Sequence, residues 1–232
     1  MPVETPEPIP PLRDGDRLTR AEFERRWDAM PHLKRAELLE GVVYVPSPRV
    51  PVDHAGPHFD LIGWLGIYVA ATPGISGSDS GSIRMDLTNE PQPDVHLRIL
   101  ASHGGQSRLS PEGYVERAPE VAAEVAVSSI PLDLNVKLPI YCRNGVREYL
   151  IWRVPDREID WFVLRGTEYE RLAPGADGVY RSQVLPGLWL DAAALVRGDL
   201  AAVSRVAQQG LASPEHAAFV RRLEEEAARR SQ

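Results

Sequence analysis

The stretch Pro119 to Trp152, PEVAAEVAVSSIPLDLNVKLPIYCRNGVREYLIW, constrains the fold more than any other. It opens with an apolar run, VAAEVAV, interrupted by one acid, Glu124. A short polar turn follows, then a segment with helical spacing that carries Lys137 and stops at Asn144-Gly145. A second apolar run, Arg147 to Trp152, completes the unit. A continuous apolar run bounded by turn residues fits a strand buried on both faces. Strand, crossover helix and strand close a parallel pair with a right-handed connection. A carboxylate inside a buried strand is costly unless it is paired or bound to a metal, so Glu124 needs a reason to be there.

The flanking chain supplies the rest of an α/β layout. Residues 1–16 are proline-rich and charged, and are expected to be an extended lead-in to a domain over residues 17–198. Thr19 to Glu22 is a capping box that starts a helix, with Leu18 and Phe23 spaced as a hydrophobic staple. Leu38 to Val45 is predicted as a strand with a Glu40-Gly41 turn or bulge in it, ended by Pro46, Pro48 and Pro51. Asp53 is placed to cap a helix running to Ala71, with Leu61, Trp64, Leu65 and Tyr68 on its inner face. Gly77 to Gly81 reads as a turn, Ile83 to Leu87 as a half-buried strand, and Asp94 to Leu97 as the start of another. Ile159 to Leu164 and Tyr169 to Leu172 read as a hairpin, followed by a weaker strand at Val179 to Val184. Asp191 is placed to cap a short helix. Residues 199–232 form a helical extension, expected to serve as a docking or homodimerising helix.

Composition narrows the partners. Acids outnumber Lys and Arg, 33 to 26, which weakens any reading based on a broad basic surface while leaving a local patch open. A single cysteine, Cys142, allows no internal disulfide and suits a reducing, cytoplasmic setting; as a residue it reads as a small buried apolar group. No apolar run reaches the ~18 residues that would cross a bilayer, so no membrane partner is expected.

Three acids and one lysine stand out as chemistry. Asp94 and Glu124 are lone acids on predicted apolar strands, Glu40 sits at a strand turn, and Lys137 lies on the crossover helix. Mg²⁺ takes one or two carboxylates plus water and phosphate oxygens, and a nearby lysine can orient water or offset developing charge. Each residue also has a plainer reading. Glu124 could be an acid paired to an arginine, Asp94 and Glu40 could be turn residues, and Lys137 could be a solvated helix residue. His54 and His58 share a helix face, but no third ligand is spaced to complete a zinc site, so surface or capping roles are expected.

In order along the chain, Glu40-Gly41, Pro93-Asp94-Val95, Pro119-Glu120 leading into Glu124-Val125, Lys137 and Tyr141 before Asn144-Gly145-Val146-Arg147-Glu148-Tyr149, and Leu185-Pro186-Gly187-Leu188 resemble the Uma2 family of restriction-endonuclease-like proteins. The resemblance covers roughly residues 18–196. It implies the PD-(D/E)XK nuclease fold, a central mixed sheet flanked by helices. It further implies Mg²⁺ or Mn²⁺ held by Asp94 and Glu124, catalytic roles for Lys137 and Glu40, and nucleic acid as substrate. The chain departs from the general nuclease motif at Ala126, where the motif lysine would stand, and Pro139 lies inside the lysine-bearing helix. The polar turn Ser128-Ser129-Ile130-Pro131 also replaces the Ser-Pro-Ser-Thr-like turn usual in the family. The expectation is therefore a metal-dependent endonuclease-like hydrolase. The alternative is a catalytically impaired nuclease fold acting as a binding or assembly module.

Overall fold

A computed structural model describes residues 8–47 and 51–231. Along the chain, helix α1 (Arg20–Asp28) precedes a hairpin, β1 (Glu37–Leu39) and β2 (Val42–Tyr44). Helix α2 (Val52–Ala71) follows, then strands β3 (Ile75–Asp79), β4 (Ile83–Arg84), β5 (Val95–Ile99), β6 (Arg108–Leu109), β7 (Val115–Glu116) and β8 (Val121–Ala126). The crossover consists of α3 (Ile130–Leu132), a π-helical turn (Asp133–Lys137) and α4 (Leu138–Asn144). Strands β9 (Glu148–Arg153), β10 (Glu158–Arg165), β11 (Glu168–Arg171), β12 (Val179–Arg181) and β13 (Trp189–Asp191) come next. Helices α5 (Ala192–Val196), α6 (Leu200–Leu211) and α7 (Pro214–Arg230) end the described chain.

Six strands form the central mixed sheet in the order β11-β10-β9-β8-β5-β3. Strand β8 pairs with β9 in parallel, as the crossover requires; the other pairs are antiparallel. Alternation along β8 divides its residues between two layers. Val121, Ala123 and Val125 face the larger core, built with Leu61, Trp64, Leu65 and Tyr68 of α2. Ala122 and Ala126 face a second core under the crossover, with Tyr141, Tyr149 and Ile151. Glu124 lies on this second face, where alanines leave room for a longer side chain and for Lys137 above it. A third, smaller core joins Leu12 and Phe23 to Leu38 and Val43. Leu12 is thus buried, so the later part of the lead-in is tied down; residues 1–7 lie outside the described residues.

Several local expectations change. Residues 37–44 form a hairpin rather than one strand, because Glu40 and Gly41 both adopt positive φ, 52° and 72°, and reverse the chain. Pro51, not Asp53, stands at the α2 N-cap, and Asp53 sits in the first turn. Pro48 lies outside the described residues. Gly77 belongs to edge strand β3 rather than a turn; a Cβ there would come within 3.1 Å of Leu97, so the glycine serves close packing. The strand expected at Ile83 to Leu87 stops at Arg84, because Asp86 accepts hydrogen bonds from the Thr88 amide and the Asn89 side chain and turns the chain outward. The tail forms two helices. Ser213 caps the second by accepting from the His216 amide at 3.2 Å, and Pro214 occupies its first turn. Both fold back on the larger core, with α6 against α2 and β13: Val203, Ala207, Phe219 and Leu223 are part of that core.

Candidate active site

The register of β5 on β8 pairs Val95 with Ala123, so extending it by one residue sets Asp94 opposite Glu124. The strands bearing the two acids are neighbours, as expected. Each carboxylate also holds the other residue's strand: the Asp94 amide donates to Glu124 Oε2 at 3.2 Å, and the Val125 amide donates to Asp94 Oδ2 at 2.8 Å. Both acids line a cavity of about 250 Å³ at the strand ends, together with Glu37, His54, Asp133 and Lys137.

Lys137 reaches this cavity from the crossover. Its ammonium donates to Glu124 Oε1 at 2.9 Å, lies 2.9 Å from Glu37 Oε1 and stands 3.8 Å from Asp133. The backbone explains its aim. Pro139 has no N–H to donate, and the Leu138 amide reaches back five residues to the Asp133 carbonyl, widening the turn into a π-helical one. The proline therefore does not turn Lys137 out of the site. The lysine is 4% exposed, so its solvated reading does not hold. Tyr141, one turn further on, donates its hydroxyl to Glu124 Oε1 at 3.2 Å.

Glu40 lies elsewhere. It is half exposed at the hairpin turn and pairs with Arg143 at the end of α4, outside the cavity. The acid that this hairpin delivers to the site is Glu37, which also accepts from the Gln92 amide at 2.7 Å. Sequence reasoning passed over Glu37 and Asp133. Their signals were an acid directly before a buried Leu-Leu pair and an acid four residues before Lys137, on the same helix face. His54, expected in a surface or capping role, has its Nε2 3.4 Å from Asp94 Oδ2. His58 is hydrogen-bonded to the Asp94 carbonyl at 3.2 Å.

Electrostatics follow from this crowding. Burial raises Glu124 well above the usual carboxylate range despite Lys137. Burial likewise lifts Asp133 to about 6. Burial would also raise Asp94, but the His54 contact and the Val125 amide outweigh it and leave Asp94 lowered. Lys137 is raised: burial opposes its charge, and Glu124 and Glu37 more than offset that. Glu37, Asp94, Glu124 and Asp133 thus outnumber the single buried ammonium, and the site has an excess of negative charge or bound protons.

Among the described residues, no three His, Cys, Asp or Glu side chains converge into a ready-made metal cage. The donor set instead suits an open site. Glu124 Oε1 is filled by Lys137 and Tyr141, but Oε2 accepts one amide and keeps a lone pair. No donor among the described residues is seen on Asp94 Oδ1. Two carboxylates with free lone pairs, completed by water and phosphate oxygens, match the usual protein share of a Mg²⁺ site.

The family model "Uma2: Putative restriction endonuclease" matches residues 20–193. A crystal structure described as "a putative nuclease belonging to DUF820 from Anabaena variabilis ATCC 29413" is similar, with a TM-score of 0.51 and 13% identity over 74% of this chain and 97% of that one. At that identity the likeness concerns the fold. No curated protein matches. No helix of the described residues is long and apolar enough to cross a membrane.

Proposed function

Because the chain belongs to the Uma2 family, whose model spans most of its length, we propose that it is a metal-dependent endonuclease-like hydrolase of nucleic-acid phosphodiesters. The observation that carries this reading is the meeting of Asp94, Glu124 and Lys137 at one cavity. Asp94 and Glu124 would hold Mg²⁺ or Mn²⁺. When bound, such an ion supplies charge stabilisation to the phosphoryl group and lowers the pKa of bound water. Lys137 has three N–H donors. Two are directed to Glu37 and Glu124, and the third remains for an attacking water or a phosphate oxygen. Protonated throughout, it acts as a donor and not as a base. Glu37 orients Lys137, and His54 steadies Asp94. Glu40 acts at a distance: its pair with Arg143 ties the hairpin to α4 and so sets Glu37 against Lys137. In hydrolysis a water oxygen bonds to phosphorus, the P–O ester bond breaks, and a proton passes to the leaving alkoxide. A single cysteine suits the cytoplasm as the place of action.

One observation favours the binding-module reading. The Lys137 ammonium is buried and held by two carboxylates, which limits its freedom to meet a substrate. The two readings separate in a cleavage assay on plasmid and single-stranded DNA with Mn²⁺, against an EDTA control. Wild type should cleave, Lys137→Ala should not, and Pro139→Ala should retain activity. Millimolar Mn²⁺ should raise the wild-type melting temperature, by ~2.7 kcal/mol of stabilisation at a hundredfold excess over Kd, and Asp94→Asn should abolish the rise. No metal-induced shift in wild type would end the hydrolase reading. Activity confined to Pro139→Ala would identify a disabled nuclease.

A further inference from the structure

A second cavity, of about 600 Å³, lies between α1 and the small sheet β4-β7-β6. That volume is within the ~300–1,000 Å³ of small-molecule sites. Gln92 lines both cavities, and the extended segment Glu90-Pro91-Gln92-Pro93-Asp94 runs from one to the other. Four residue steps at ~3.3 Å give ~13 Å between Glu90 and Asp94, a distance a nucleic-acid strand covers in a few nucleotides. The neighbours Lys34 and Arg35 place one cation on each cavity.

The second cavity combines a flat rim with an unfilled polar floor. At the rim, Tyr114 is 38% exposed, and the Arg84 guanidinium lies 4.2 Å from its ring centroid. At the floor, Glu90 is only 2% exposed, yet its Oε2 has no hydrogen-bond partner among the described residues. The Glu24 carboxyl lies beside it, with its Oε1 2.8 Å from Arg84 Nε. A buried carboxyl oxygen without a partner costs stability unless something arrives to bond it.

We propose that this cavity receives a nucleobase with an amino group at purine C6 or pyrimidine C4, adenine or cytosine, from the strand whose phosphate lies at Asp94 and Glu124. The base amino group donates to Glu90 Oε2, and the base stacks at Tyr114. Stacking on an aromatic ring tolerates any base, whereas the carboxyl selects among them, because thymine and uracil present a carbonyl where adenine and cytosine present an amine. Burial and the hydrogen bond with Glu24 raise Glu90 to about 8, so its proton is engaged by Glu24 and Oε2 is left as an acceptor only. The identity of the ligand rests on the nuclease reading, but the site contains neither the metal nor the phosphate contacts.

The test uses the full chain in EDTA, with saturation-transfer NMR on millimolar deoxyadenosine, deoxycytidine and thymidine. Wild type should bind the first two about 10-fold more tightly than thymidine, which is ~1.4 kcal/mol. Glu90→Leu should erase the preference. Tyr114→Ala, at an exposed position that does not threaten folding, should weaken all three about 5-fold or more. Absent or equal binding of the three nucleosides to wild type overturns the proposal. So does a preference that survives in Glu90→Leu, or affinities unchanged in Tyr114→Ala. Nucleoside binding without any metal-induced stabilisation would refute the hydrolase and leave the base site standing.

Discussion

Replacing Lys137 by methionine keeps most of the stem's volume and removes the charge. Glu124 and Glu37, each 2.9 Å from the ammonium, then face one another and Asp133 with no cation between them. Removing one member of a buried pair costs about 3–5 kcal/mol where the remaining charges stay ionised. Proton uptake can relieve that cost, so the loss must depend on pH. Burial already raises Glu124, and raises Asp133 to about 6. Without Lys137 both rise further. A carboxyl with a folded pKa above its unfolded value gives stability that is complete below the unfolded value and disappears as pH climbs through the folded one. The deficit of Lys137→Met relative to wild type should therefore be small at pH 5 and large at pH 8. One additional retained proton is worth ~1.4 kcal/mol per pH unit, or ~4 kcal/mol across that range, in line with the pair-breaking figure. For a chain of this size a loss of ~4 kcal/mol at pH 8 corresponds to a fall of about 8–16 °C in Tm. Circular-dichroism melts in EDTA at both pH values measure it. An equal loss at the two would trace the effect to packing of the lysine stem. No loss at pH 8 would refute the charge account of the site.

Glu148 accepts from the Ser182 hydroxyl and the Gln183 amide at 2.7 Å, and from the Val184 amide and Trp161 at 3.2 Å. Glu148→Ala orphans these donors and should lower stability by at least about 3 kcal/mol in urea denaturation, since each unsatisfied buried group costs ~1–3 kcal/mol. Gly210→Ala would put a Cβ 2.3 Å from the Gly187 carbonyl oxygen and 2.7 Å from Trp189. It should cost about 1–3 kcal/mol and make the chain after Asp199 a preferred site of limited proteolysis, detected by mass spectrometry of the fragments.

The central unit was legible because its signals are local and mutually consistent. The apolar run around Glu124, the Asn144-Gly145 stop and the second apolar run specify strand, helix and parallel strand without reference to the rest of the chain. The pairing of Asp94 with Glu124 was legible for a similar reason: two lone acids in apolar strands need a common explanation. The hairpin acid was harder. Glu40 beside Gly41 draws attention as a turn, and the turn itself carries Glu40 away from the cavity while Glu37, on the preceding strand, points in. Which of two nearby acids enters a site depends on strand register, which is set by partners distant in sequence, as in the Leu38–Glu90 bridge. The edge strand at Gly77 was hidden for the opposite reason. Its glycine and serines lack strand propensity, and pairing with β5 overrides that.

The helices that close the larger core come last in the sequence. The family match ends at residue 193, whereas Val203, Ala207, Phe219 and Leu223 complete the core begun by α2. A ribosome adding ~5–20 residues per second needs roughly 2–7 s for the 35 or so residues from the end of α5 to the end of α7. Throughout that interval the sheet has been made, but the apolar surface around Tyr68 and Leu188 has no cover. Chaperone demand for this protein should therefore centre on one brief window while α6 and α7 are being made, and ribosomes stalled after α5 should carry its most aggregation-prone form.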